Sequence, residues 1–307
     1  MARPSELWGL CLLLPSACIS TGSDASVGDW QRLPCAARVS EQQAPDAVVL
    51  VATLKPEGPF ADLLPCSGVL IAPRLVVTSR QCAVDQSATA EVGCDRNNGW
   101  QPVADAARSS YLGPSLDVRG NIAILAGDGA LRTIGLVEEV VSTPARSFCV
   151  DDFALLILRD PVEGREVLPV RFEATTRLGE EVRLSGFGGT SAPMARRQLP
   201  ATVLQIVSDR GDVRAPPRSL YLRGQACSFD RGGAVFSPDT GALIGTIVDD
   251  PASGCGDREG TTLAVDLSRH ADFLLDTAQA RGIELRSELD PALPDGQRPP
   301  ACEPAEP

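Results

Sequence analysis

Cys66-Ser-Gly-Val-Leu-Ile-Ala-Pro-Arg-Leu-Val-Val-Thr-Ser-Arg-Gln-Cys82 is the stretch on which the reading of the fold turns. Two short apolar runs, Gly68-Val-Leu-Ile71 and Leu75-Val-Val-Thr78, stand on either side of Pro73-Arg74. Runs of this length, rich in β-branched residues and separated by turn residues, read as strands. A cysteine marks each end.

The same pattern continues outward. Val48–Thr53, Ile122–Leu125, Ala154–Leu158, Val182–Ser185, Ala201–Val207, Ser219–Leu222, Ala234–Phe236 and Leu243–Val248 are further strand-like runs. The 28 Gly and 25 Pro fall mostly between such runs, which points to an all-β barrel or sandwich. One helix is predicted, over 267–281: Ser268 supplies a cap, Leu267, Ala271, Leu274, Leu275 and Ala278 share a face, and Gly282 supplies a stop. Residues 83–121 have no clear period and read as a loop insertion, anchored through Cys94. From Ser287 to Pro307 the chain is Pro-rich and acidic and reads as a poorly ordered tail. No repeat of fixed period occurs.

The 307-residue composition, 43% apolar and 22% charged, is that of a globular chain. A net charge of −12 leaves no basic surface for nucleic acid. There are 27 Arg against one Lys (Lys55), which removes Walker-type loops and Schiff-base chemistry. The single His, His270, excludes His-rich metal sites and leaves few ways to build a Ser-His or Cys-His nucleophile. No cofactor and no metal is expected.

Residues 1–17 read as an export signal. Arg3 precedes a short apolar run, Leu7–Leu14, too short to span a bilayer. Pro15-Ser-Ala-Cys18 resembles the lipobox of bacterial lipoproteins, with Pro15 departing from the usual Leu; the resemblance implies a lipid on Cys18, and Ile19 after it implies outer-membrane sorting. A plain secretory signal cut near Ala17 is the alternative. Residues 18–34 read as a flexible tether. Setting aside Cys11 and Cys18, eight of the 10 cysteines remain, an even number that in an exported chain implies a disulfide framework. No C-x-x-C pair is present, which argues against zinc ribbons and thioredoxin-type sites.

The 66–82 stretch resembles the C-G-G-T-L-I-x-x-x-W-V-L-T-A-A-H-C segment of chymotrypsin/trypsin-like serine proteases. Asp152-Phe-Ala-Leu-Leu-Ile-Leu158 resembles that family's D-I-A-L-L-x-L. Ser185-Gly-Phe-Gly-Gly-Thr190 resembles S-G-W-G-x-T, and Ala226-Cys-Ser-Phe-Asp-Arg-Gly-Gly-Ala234 resembles A-C-Q-G-D-S-G-G-P. Each match is weak alone; their order is specific. The resemblance implies a double Greek-key β-barrel with a C-terminal helix over residues 35–286. Its first barrel would span about 45–160 with the 83–121 insertion, and its second about 166–266. It also implies the bridges Cys66–Cys82 and Cys227–Cys255. Cys94–Cys149 and Cys35–Cys302 are what remains.

Within that pattern the reactive positions are degenerate. The His position is Gln81 and the nucleophile position is Arg231; only Asp152 survives. The glycine that shapes the oxyanion turn is Phe229, and the base of the specificity pocket is Gln225. Glutamine does not take up a proton near neutral pH, and arginine has no nucleophilic hydroxyl. Asp230 is retained, but Arg38-Val-Ser-Glu-Gln-Gln-Ala44 lacks the Gly pair of an activation terminus; Asp230 reads as a turn residue satisfied by backbone N–H groups. Ser79 and Ser228 read as ordinary turn or strand serines, and His270 as a surface or capping residue. Arg231 either turns inward to pair with Asp152 or points into solvent.

The expectation is an exported, lipid-anchored protease homologue that has lost catalysis and binds a protein partner at the cell envelope, joined to the membrane only by its N-terminal lipid. The alternatives are a hydrolase with an unrecognised nucleophile and a structural envelope lipoprotein.

Overall fold

The computed structural model describes residues 44–53, 64–83, 94–95, 101–102, 122–127, 131–143, 149, 151–189, 195–211, 215–227, 229–248 and 260–289. The first barrel is built from β1 (Val48–Thr53), β2 (Leu64–Ala72) and β3 (Leu75–Thr78), then, after a two-residue pair β4 (Cys94–Asp95) and β5 (Gln101–Pro102), from β6 (Ile122–Ala126), β7 (Arg132–Ser142) and β8 (Ala154–Leu158). The second comprises β9 (Glu181–Gly186), β10 (Arg197–Ile206), β11 (Ser219–Arg223), β12 (Ala234–Phe236), β13 (Leu243–Ile247) and β14 (Thr261–Asp266). Each barrel is closed, antiparallel and six-stranded. The orders β1-β2-β3-β8-β7-β6 and β9-β10-β11-β14-β13-β12 are one topology used twice, with a Greek-key return after the third strand. This is the trypsin-like double β-barrel.

The sequence-predicted strands fall in place, several of them one to a few residues longer than their apolar runs. β7 was absent from the sequence reading. Its register shifts against both neighbours, between Val137 and Glu139 and opposite Ile124/Leu125, so bulges break the period-2 alternation that would have marked it. β14 opens on Thr261-Thr262 and was likewise missed. Within 83–121 only Ala83, β4 and β5 are described, so the expectation of a loop there is otherwise outside the described residues.

The terminal helix begins differently from expectation. Leu267–His270 is a 3-10 turn, and the α-helix α1 runs Ala271–Gln279. Asp266, not Ser268, is the cap: its carboxylate accepts from the Ser268 N–H at 3.1 Å and from the Ser268 hydroxyl at 2.7 Å. Leu274 and Ala278 are buried, but Leu275 is 43% exposed and off the packed face. Gly282 at φ 62 ends the helix as expected. Leu267, Leu274 and Ala278 join one core with the first-barrel residues Leu70, Leu75, Phe153 and Leu155 and with Phe187 and Phe236 of the second half, so the helix welds the two barrels.

The chain stays packed beyond 286. Ser287 bridges Val170, and Arg171 holds Glu288 through Nε (2.7 Å) and Nη2 (2.9 Å) and Glu180 through Nη1 (2.6 Å). The tail expected from Ser287 therefore has its first residues, to Leu289, sewn onto the inter-barrel connection; the remainder lies outside the described residues. Residues 1–43, with the signal, Cys18 and the tether, also lie outside them.

Candidate functional site

Strand pairing creates the site. Thr78 of β3 lies opposite Ala154 of β8, so the chain leaving β3 meets the chain entering β8. The first carries Gln81 in a 3-10 turn, Arg80–Cys82; the second carries Asp152. Cys82 is bonded to Cys66 of β2, as the resemblance implied, which ties that turn to the barrel. Arg231 arrives from the other barrel on the turn before β12. Its carbonyl accepts from the Ser67 N–H of β2 at 2.8 Å. That approach depends on the next residue: Gly232 has φ 81, and a Cβ there would collide with Thr78 Oγ1 and Ser67 O.

Asp152 is fully buried and held from several sides. Ser79 Oγ lies 2.9 Å from both carboxylate oxygens, the Gln81 N–H donates to Oδ1 at 3.1 Å, and Gln81 Nε2 donates to Oδ2 at 2.8 Å. The other end of the same amide, Oε1, accepts from Arg231 Nη1 at 3.0 Å. Arg231 Nε in turn donates to the Val248 carbonyl at 3.2 Å. Carboxylate, amide and guanidinium form a line. The partners leave one orientation for the amide, since a flip would aim NH2 at a guanidinium and oxygen at a carboxylate. Burial pushes the Asp152 carboxyl above the ordinary carboxylate range, while the Arg231 charge and the bonds from Gln81 and Ser79 pull it back. Arg80, also buried, is pulled below its usual value by desolvation, against the charges of Asp152 and Asp151.

Arg231 thus turns inward, but it does not pair directly with Asp152: the Gln81 amide stands between them. The line has the hydrogen-bond polarity of an acid–base–nucleophile relay and none of its chemistry. A carboxamide neither accepts a proton near neutral pH nor passes one on, and the terminal group is a cation. Ser79, read from sequence as an ordinary serine, is the carboxylate's hydroxyl donor. It is fully buried, and its hydroxyl is spent on Asp152. Ser228 lies outside the described residues.

Phe229 stands at φ 73, a left-handed conformation that a bulky residue adopts at a cost. Its carbonyl accepts from Ser67 Oγ at 2.8 Å. Asp230 is buried and accepts from the Cys227 N–H (2.7 Å) and the Gly188 N–H (2.6 Å), the backbone satisfaction expected of it. The half-buried Gln225 packs over Gly260, where a Cβ would collide with its side chain. Cys149 and Cys227 are disulfide-bonded. Their expected partners, Cys94 and Cys255, have side chains outside the described set, as do Cys35 and Cys302. The segment before β1 is clamped: Asp46 Oδ1 takes Arg165 Nη1 at 2.8 Å and Arg196 Nη1 at 2.7 Å, and the Asp46 N–H donates to Glu166.

His270 corrects the sequence reading. It stands at the N-cap position of α1, though its side chain makes no cap bond, and it is not on the surface: it is buried, its ring is 4.6 Å from that of Phe153, and its Nε2 is 3.5 Å from Asp151 Oδ1. Arg218 Nη2 reaches both oxygens of Asp151 at 2.6 Å. Desolvation takes the imidazole down to about 4, opposed by Asp151 and assisted by Arg218. No local signal distinguishes this cluster, because Asp151, Arg218 and His270 come from three distant parts of the chain. Among the described residues, no cluster of His, Cys, Asp and Glu has the makings of a metal site.

No protein-family model matches the chain, and no curated protein matches its sequence. Among solved structures the fold is similar to that of an inactivated protease paralogue of the scabies mite, S-I1, with 16% sequence identity and a TM-score of 0.53; the match covers 78% of this chain and 96% of that one. At that identity the likeness is one of fold. It is the likeness of a trypsin-like double barrel.

Proposed function

We propose that the protein is a trypsin-like protease homologue that does not cleave peptides and acts by holding a protein partner in the groove between its barrels. One observation carries the reading. The three triad positions form a closed line, Asp152–Gln81–Arg231, in which no group both accepts a proton and attacks a carbonyl. The structural neighbour, itself described as an inactivated protease paralogue, supports the reading by fold. The sequence adds the setting: export, a lipid on Cys18 and a place at the cell envelope.

The working-hydrolase alternative loses one candidate nucleophile, since the Ser79 hydroxyl is buried against Asp152. Labelling with a fluorophosphonate serine-hydrolase probe tests the rest. The reading expects none; labelling abolished by Ser228→Ala would replace it with the enzyme. A mass spectrum of the mature amino terminus tests anchoring: a diacylated Cys18 is expected, and an unmodified terminus at or after Cys18 would make the protein simply secreted. Recovery of one envelope protein with the chain under mild detergent is expected of a binding role, and its absence of a structural one.

A further inference from the structure

Arg231 differs from four other buried or half-buried arginines in what it touches. Arg165, Arg171, Arg196 and Arg218 each contact a carboxylate directly. Arg231 spends Nη1 on an amide oxygen and Nε on a backbone carbonyl, both neutral. Its Nη2 group has no hydrogen-bond partner among the described residues. The nearby carboxylate, Asp152, sits behind the amide with its oxygens already occupied by Ser79 and Gln81. The guanidinium is therefore fixed in plane by two bonds, and the residue is half-buried.

We propose that Arg231 is a carboxylate anchor: the partner segment held in the groove places a carboxylate on the Nη2 edge of this guanidinium. The inference rests on the binding reading above and adds the chemistry of the ligand. A guanidinium offers parallel N–H donors that match a carboxylate, and such pairs are shorter and stronger than neutral bonds. Two bonds to the protein hold the fork in place before the ligand arrives, so little side-chain freedom is lost on binding. With a net charge of −12 the protein as a whole repels acidic ligands, which makes a fixed guanidinium selective for the carboxylate that fits it. Two sources carry the same group, an Asp or Glu side chain and a chain-terminal α-carboxylate.

The test uses the full-length protein labelled with 15N and three N-acetylated tetrapeptides. One has a central Glu and an amidated end, one is all-Ala with a free carboxyl end, and one is all-Ala and amidated. The Arg231 Nε–H resonance is assigned by its loss in R231Q. The proposal expects this resonance to shift saturably with one or both carboxylate peptides and not with the amidated all-Ala peptide. The first two peptides tell the sources apart. Binding, followed by backbone shifts, is expected to weaken at least about tenfold in R231Q and to weaken in R231K, which keeps the charge but loses the fork. It is also expected to weaken with added salt. No saturation with either carboxylate peptide, or equal binding by R231Q, overturns the anchor. The peptides are then weighed by mass spectrometry. Intact peptides that do not bind overturn the anchor alone, whereas cleaved peptides overturn the non-catalytic reading itself.

Discussion

The Gln81 amide oxygen accepts from Arg231 Nη1 at 3.0 Å, and that contact joins the two barrels. With Nε2 on Asp152, the amide satisfies an acceptor and a donor that come from opposite sides of the groove. Gln81→Leu removes both bonds at similar volume and leaves a buried carboxylate short of a donor. Chemical denaturation should show a loss of about 2 kcal/mol, in the range for bonds to charged groups. In the cycle with Arg231→Leu the two losses should fall short of additivity by at least about 0.5 kcal/mol. Strict additivity would mean that the line is geometric only.

Ser79 gives a separate test. Its hydroxyl faces the Asp152 carboxylate in a fully buried setting. Ser79→Ala should destabilise by about 1.5–3 kcal/mol, whereas an ordinary strand serine would cost a few tenths. Because the hydroxyl favours the ionised carboxyl, the variant should also move Asp152 further above the ordinary carboxylate range.

Much of this site was legible in the sequence. Gln81, Asp152 and Arg231 came from motif order, and the structure brings all three together. What the sequence withheld were relations across the barrels. It offered an Arg231–Asp152 pair as one of two readings because charge is a property of residues, while the interposed amide depends on where a rotamer points. The fold was legible where strands alternate cleanly, as in Leu75–Thr78, and not where bulges break the period, as in β7. His270 was misplaced because its burial is created by Phe153 and Asp151, more than a hundred positions earlier.

The single His makes its titration directly observable. The lone imidazole resonance should titrate near 4 rather than 6.5. Between those values the unfolded chain binds more protons. Stability is therefore whole above about pH 6.5 and falls as pH drops toward 4, by about 3 kcal/mol for the full gap. Asp152, Asp266 and Glu166, raised by burial, act in the opposite sense. The comparison is therefore between the wild type and His270→Gln, whose stability should lack this slope. An imidazole titrating near 6.5 would contradict the buried placement.

The Arg171 cluster fixes residues 287–289. Arg171 and Glu288 side chains are 7% and 6% exposed, so Glu288→Ala leaves a buried cation with Glu180 as its one remaining ion-pair partner among the described residues. A loss of about 2–4 kcal/mol is expected on denaturation, little changed by salt because the pair is shielded. A loss below about 0.5 kcal/mol would show that residues 287–289 are not held as described.

The central claim is that the groove holds no group able to take a proton and attack a carbonyl. Its most direct test is prolonged incubation of the purified protein with a mixed peptide library, read by mass spectrometry for new termini. The account predicts that every peptide is recovered uncut. Multiple-turnover cleavage that a single substitution in the groove abolishes would contradict it.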